Sequence, residues 1–225
     1  NRLFSLISKW RGIEHSPFTV VFIISLFILL TGNQRFFLNL GSALQHDAWL
    51  KYKMIMVMGG IVFSLIYLLF SVLSFKHIIK PMLITMLLVS AVASYFMDTY
   101  QFFICDKMLR NALETDMGEA TELMSIKMLL YIVLLGLLPA LLVFFTKFRN
   151  YSFRAYHLRQ LGAVALAVIL LISFIGVFFK DVSIFGREHR DLRYYTNPTY
   201  PLYSLIKFLD WGNGNTAMAN IIIPV

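Results

Sequence analysis

Asn111, Thr115 and Glu119 occupy every fourth position of a polar stretch, Asp106 to Glu122 (DKMLRNALETDMGEATE), that separates two long apolar runs. On an α-helix, 100° per residue returns positions four apart to one stripe, with a drift of about 40° per step. The stripe then presents an amide, a hydroxyl and a carboxylate together. Just outside a membrane, that set suits a small cationic head group bearing a hydroxyl or phosphate. The spacing also fits the solvated face of an amphipathic helix. The surrounding acids, Asp98, Asp106, Glu114, Asp116, Glu119 and Glu122, could hold a hard cation, although the glycine and alternating oxygen ligands of an EF-hand loop are missing. Spacing alone leaves these three readings open.

Few other residues compete for chemistry. His15, His46, His77, His157 and His189 are scattered, with no HExxH and no helical pair, so a shared zinc site is not expected. The sequence has no Gly-x-Ser-x-Gly elbow, phosphate-cradling glycine loop or dinucleotide fingerprint. A single cysteine, Cys105, excludes an intrachain disulfide and any CxxC site. In its apolar setting (QFFIC) it reads as a small hydrophobe. Lys180, Arg187, Arg190 and Arg193 form a basic set that fits either lipid-phosphate contact or interfacial snorkelling.

The elements that position these residues follow from composition. Of 225 residues, 59% are hydrophobic and 14% charged, against roughly 25% charged in a soluble domain, and the mean hydropathy is +0.72. This is the composition of an all-α integral membrane protein. Five stretches approach the roughly 20 apolar residues a crossing needs: near Pro17 to Leu38, Lys53 to Phe75, Lys80 to Tyr100, Ser125 to Phe145 and Leu161 to Phe179. The first exceeds a signal-peptide core and no small-residue cleavage site follows it, so it reads as an anchor. The formal charge of +8 sits in short blocks beside these runs, which fits orientation and anionic lipid rather than nucleic acid.

Arg2, Lys9, Arg11, Lys76, Lys80, Lys147, Arg149, Arg154 and Arg159 fall on one side, against the single acid Glu14. The opposite side carries Arg35, Lys51, Lys53, Lys107, Arg110 and Lys127 against seven acids. The positive-inside rule then places the N-terminus in the cytoplasm and, after five crossings, the C-terminus outside. No charge lies at mid-span, which argues against a proton-coupled carrier or a voltage sensor. Gly59, Gly60, Gly136 and Pro139 fit close helix packing or kinks.

Residues 180–225 read as a juxtamembrane segment on the outer surface. They carry turn signals at Asn197-Pro198 and Tyr200-Pro201, and interfacial aromatics at Tyr194, Tyr195, Tyr200, Tyr203, Phe208 and Trp211. Leu202, Leu205, Ile206 and Leu209 give a short helix with one apolar face, and Gly212 to Asn215 (GNGN) a flexible joint. The chain opens on Asn1 and closes on an apolar run, so both ends read as cut from a longer protein. On these observations alone a small multi-pass transporter or channel component, or a purely structural anchor, stands beside a lipid-binding domain.

Several blocks carry a family resemblance: GNQRFF at Gly32 to Phe37, Lys80-Pro81, SYFMDTYQFFICDKMLRNALETDMGEATEL at Ser94 to Leu123, GLLPALLV at Gly136 to Val143, and FFKDVSIFGREHRDLRYYTNPTYPLYS at Phe178 to Ser204. In order and spacing they resemble the N-terminal membrane domain of lipid A phosphoethanolamine transferases, the family that includes the mobile colistin-resistance enzymes. The resemblance implies five transmembrane helices, a bridging segment and a periplasmic catalytic domain of the alkaline-phosphatase type. In that family a threonine nucleophile and zinc take phosphoethanolamine from phosphatidylethanolamine and pass it to lipid A, which confers polymyxin resistance. It further implies the bacterial inner membrane as location. Asn111, Thr115 and Glu119 match the family's head-group residues, with Glu119 expected to meet the ammonium. No catalytic residue, zinc ligand or cofactor is expected within this chain, which by itself should be inactive and depend on its own catalytic domain.

Overall fold

A computed structural model describes residues 14–44, 48–101 and 125–219. The described chain is almost wholly helical. Helix α1 (Pro17–Gly32) is followed across Asn33 by α2 (Gln34–Ala43), then α3 (Ala48–Leu73), α4 (Ile79–Tyr100), α5 (Ile126–Phe145), α6 (Phe153–Val177), α7 (Phe179–Glu188), a 3₁₀ turn (Arg190–Tyr195) and α8 (Thr199–Ala219). Four helices, α3 to α6, are long and apolar enough to cross a membrane, and the bent pair α1–α2 makes a fifth candidate. The chain is thus an all-α, multi-pass membrane domain.

Helix α1 starts with Pro17 in its first turn, where the missing N–H has no intrahelical role. At 16 residues it rises about 24 Å, short of the roughly 30 Å hydrocarbon core. The first apolar run therefore does not continue as one helix to Leu38. It breaks at Asn33 and the chain turns by 56° into α2. Two other helices start earlier than their apolar runs. α3 begins at Ala48 rather than Lys53, and α6 at Phe153 rather than Leu161, because helices persist through the interface with polar residues where apolar content no longer marks them. Gly212 to Asn215 is not a joint: α8 passes through it.

α1 packs against α3 and α4, α3 against α6, and α4 against α5. Ile28, Leu40, Ile66, Phe70, Leu83 and Leu87 are buried at the centre, while α5 and α6 leave Leu134, Leu141, Ile169 and Ile172 exposed, as helices facing lipid do. The buried Ser25, Ser64 and Ser74 hydroxyls donate to the carbonyls of Val21, Gly60 and Phe70 four residues earlier, which satisfies these hydroxyls inside the apolar interior.

Glycines mark the close approaches. A Cβ on Gly136 would come within 3.2 Å of Ala91 Cβ and Leu88 Cδ2, and one on Gly60 within 2.4 Å of the Phe174 ring. The segment Ile132–Leu137 of α5 widens into a π-helix just before Pro139, as expected where a ring that cannot donate and would clash with the carbonyl four residues back must be accommodated.

One end of the bundle is tied by a two-residue parallel pairing of Glu14–His15 with Lys147–Phe148. There Lys76 and Lys80 donate to the carbonyls of Tyr151 (3.0 Å) and Phe144 (3.1 Å), and Tyr156 to that of Ser74 at 2.9 Å. The opposite, far end holds α2, α7, the 3₁₀ turn and the beginning of α8.

Candidate polar site at the far end

The break after α1 creates the far-end site. Asn33, 1% exposed, donates through Nδ2 to Ile28 O at 3.0 Å and to Asn197 O at 2.8 Å. Its Oδ1 accepts from the Asn197 backbone N–H at 2.8 Å. Asn197, fully buried, reaches with its own Nδ2 to Ser90 O (2.8 Å), Gly32 O (3.0 Å) and Ser94 Oγ (3.0 Å). Carbonyls freed at a helix end inside a membrane protein need such partners. Gly32 is required here, since a Cβ would sit 2.8 Å from Ser90 Oγ. Two blocks far apart in sequence, GNQRFF and TNPTYP, therefore meet in one knot.

Beyond the knot, α2 presents Arg35, Asn39 and Ser42 toward a polar cleft of about 370 Å³. Spacings of four and three put the three on one helix face. Gln101 at the end of α4 and His189, Asp191 and Tyr195 from the turn after α7 close the other sides. Gln101 stands in the left-handed region (φ 58°), where its carbonyl accepts from Tyr195 Oη at 3.0 Å. The Arg35 Nε is buried with no hydrogen-bond partner among the described residues. A guanidinium, an imidazole and a carboxylate around one small hollow can hold a zwitterion: phosphate on the guanidinium and an imidazole N–H, ammonium on the acid.

Gln101, which lines the cleft, is the last described residue before 125. The ends of α4 and α5 are braced against each other: Tyr95 Oη lies 2.8 Å from Ser125 Oγ, and Tyr131 donates to Asp98 Oδ2 at 3.1 Å. Asn111, Thr115 and Glu119, together with Cys105, Asp106, Glu114, Asp116 and Glu122, lie outside the described residues. Of the basic tail set, Lys180, Arg187, Arg190 and Arg193 are all exposed; Arg187 donates to Ser183 O, and Arg193 stacks over Tyr194 with its guanidinium 4.9 Å from the ring. Among the described residues no three His, Cys, Asp or Glu side chains converge as metal ligands, so none is assigned to zinc. The Arg35 face is absent from the sequence reading because a span drawn to Leu38 absorbed it. The signal available was GNQR itself, four consecutive residues without an apolar side chain at the end of an apolar run.

Comparison with known proteins places this arrangement. Residues 62–211 match the family described as phosphoethanolamine transferase EptA/EptB. The phosphatidylethanolamine transferase Mcr-1 of Escherichia coli is 32% identical over 201 residues, 89% of this chain and 37% of that protein. EptA of Escherichia coli K12 is 29% identical over 167 residues, 74% of this chain and 30% of that protein. In structure, the integral membrane lipooligosaccharide phosphoethanolamine transferase A of Neisseria meningitidis superposes with a TM-score of 0.81 at 23% identity, over 88% of this chain and 37% of that one. The chain thus spans between 30% and 37% of the length of these relatives. Because that family match takes in residues 62–211, which hold part of α3, all of α4 to α7 and the bridging turn, the chain belongs to the phosphoethanolamine transferase family of EptA and EptB.

Proposed function

We propose that this chain is the membrane domain of an enzyme that moves phosphoethanolamine from phosphatidylethanolamine to lipid A, protecting its host against polymyxins. The family match over residues 62–211 carries the reading. The domain lies in the bacterial inner membrane with the pairing of Glu14–His15 and Lys147–Phe148 toward the cytoplasm and the polar cleft toward the periplasm. The charge asymmetry of the loops supports that orientation.

The donor head group binds at the periplasmic end. Glu119 meets the ammonium, and Asn111 and Thr115 hydrogen-bond the phosphate or ethanolamine. The cleft of Arg35, Asn39 and Asp191, which Gln101 also lines, adds a guanidinium for the phosphate. The reacting groups belong to the remainder of the full-length enzyme, where zinc supplies charge neutralisation and an activated nucleophile. This domain's work is to hold a lipid head group at the height of the membrane surface and to anchor what acts on it, so by itself it is inactive.

The test is transfer of a fluorescent phosphatidylethanolamine head group by the full-length enzyme carrying Glu119→Ala. Losing one charge-assisted contact of about 1.5–3 kcal/mol lowers kcat/KM roughly 10- to 150-fold, with polymyxin protection lost and membrane insertion retained. Wild-type transfer by that variant sinks the assignment.

A further inference from the structure

Next to the polar cleft, with Ser42 of α2 lining both, two hollows run into one another along α3. The first, about 390 Å³, is lined by Phe37, Leu38, Gly41, Ser42, Lys51 and Ile55. The second, about 620 Å³, shares Phe37 and Ile55 with it and continues between α3 and α6, past Met56, Gly59 and Phe63 toward Leu170 and Phe174. The result is one groove, polar at one end and apolar along its body.

Its dimensions and depth are those of one leaflet. From Lys51 to Phe63 α3 rises about 18 Å, slightly more than half of the roughly 30 Å hydrocarbon thickness. Trp49 and Tyr52, 79% and 69% exposed, flank Lys51 and set it at the head-group level, where such rings settle. Glycines keep the floor low: a Cβ on Gly59 would lie 3.3 Å from the Phe37 ring, and one on Gly41 lies 3.2 Å from Lys51 Cε. The lysine stem therefore rests on bare α2 backbone with its ammonium at the groove mouth.

The charges around the mouth select among lipids. Among the described residues no carboxylate lines the groove. Asp181 is taken by Lys53 in an ion pair, and the Ser42 hydroxyl donates to Asn39 O at 2.8 Å, which leaves Lys51 as the charged group of the lining. A zwitterionic head group would bring its ammonium toward Lys51, and the described lining offers no acid to receive it. A head group with net charge −1 is neutralised outright.

The geometry points to a seat for a net-anionic glycerophospholipid of the outer leaflet, its phosphate on Lys51 and one acyl chain along Phe37, Met56 and Phe63. This is a different lipid, in a different place, from the donor bound at the polar cleft. The seat is a standing lipid contact of the membrane domain, independent of transfer.

The test uses the full chain in nanodiscs of phosphatidylglycerol and phosphatidylethanolamine at one to three, with the lipids retained on the protein counted by native mass spectrometry. Wild type retains phosphatidylglycerol above its bulk share, and Lys51→Gln loses roughly five-fold of that enrichment, the factor for one lysine at an anionic surface. Other surface cations attract the same lipid, so the difference between the two proteins is the readout. Lys51→Arg keeps the enrichment. Met56→Trp, at a position 73% exposed and so free to change, fills the body of the groove and lowers the retained lipid count by one. Bulk-ratio retention by wild type, enrichment of phosphatidylethanolamine instead, an unchanged Lys51→Gln protein or an unchanged count in Met56→Trp each overturns the proposal. Transfer activity is not measured, so this outcome and that of the transferase reading stay separate.

Discussion

Asn33 and Asn197, 164 residues apart, exchange two hydrogen bonds of 2.8 Å, amide side chain of one to peptide group of the other. The first residue interrupts a membrane helix and the second opens the last helix of the domain. Each answers a need in the other: the break in α1 frees polar backbone, and the turn before α8 brings a peptide group into an apolar interior. The Asn197 side chain extends the knot to Gly32, Ser90 and Ser94, so the end of α1, α4 and the turn before α8 are tied together.

Asn33→Ala removes both bonds of the exchange and the link to Ile28, whereas Asn197→Ala spares the exchange and removes the tether to α1 and α4. Each leaves buried polar groups unpaired, at about 1–3 kcal/mol. The two changes touch one network, so the double variant costs less than their sum. Unfolding of all four proteins in one detergent measures this. Strict additivity, or a cost below about 0.5 kcal/mol for Asn33→Ala, would show that the knot does not hold the break.

Gly32→Ala tests the same place sterically. The added methyl meets Ser90 Oγ at 2.8 Å, and overpacking of this kind costs about 1–3 kcal/mol. Ser90→Ala takes away the clashing hydroxyl. The pair Gly32→Ala/Ser90→Ala should therefore recover most of the loss in the same unfolding assay, which a backbone-flexibility effect of the glycine would not allow.

How much of this was legible in the sequence divides along physical lines. Helices α3 to α6 were visible because dehydration of a spanning segment demands a long apolar run, and little else in a chain produces one. Their ends were less so: Ala48 to Lys51 and Phe153 to Gln160 are helical among polar neighbours, where hydropathy falls silent but helix hydrogen bonding continues. The break at Asn33 was hidden because Phe36, Phe37 and Leu38 restore an apolar average on its far side. Its partner could not be found at all, since periodicity reports only local order and nothing local points from Asn33 to Asn197. GNGN looked like a joint because glycine and asparagine are poor helix formers, yet α8 runs through it. The Asn111, Thr115, Glu119 stripe was the most legible chemical feature, and it lies outside the described residues.

Orientation is open to a direct labelling test. With Cys105 changed to Ser, a cysteine at Arg154, near the paired Lys147–Phe148 end, is shielded in intact inner-membrane spheroplasts from a membrane-impermeant maleimide. A cysteine at Arg187 on α7 is labelled. Both side chains are exposed, so access to the reagent rather than burial decides the result, and both react once the membrane is opened. Labelling of Arg154→Cys in intact spheroplasts reverses the proposed topology.

The Lys53–Asp181 ion pair joins the start of α3 to α7, with side chains 30% and 31% exposed. Partial solvation screens it, so its worth is about 0–1 kcal/mol. Asp181→Asn should shift unfolding by no more than that, and the shift should shrink as salt rises. A loss of several kcal/mol would mean that the pair holds α7 in place rather than merely decorating its contact with α3.

Arg35 carries the sharpest expectation for function. It stands on the α2 face shared with Asn39 and Ser42, its Nε buried and without an acceptor among the described residues. A guanidinium N–H withdrawn from water is stabilised by an oxyanion, and a phosphate matches the fork with two oxygens. In the full-length enzyme, Arg35→Ala should lower kcat/KM for the phosphatidylethanolamine donor roughly 10- to 100-fold. Arg35→Lys should recover charge but not the two-point contact, and so fall between the two. Asn39→Ala, which removes a neutral partner, should cost less than ten-fold. A merely structural arginine would lower the unfolding temperature of all its variants in proportion to their activity. A phosphate contact instead leaves unfolding nearly unchanged and separates lysine from alanine in donor KM. Equal KM values for Arg35→Ala and wild type would remove the cleft from the donor site and leave Asn111, Thr115 and Glu119 to bind the head group alone.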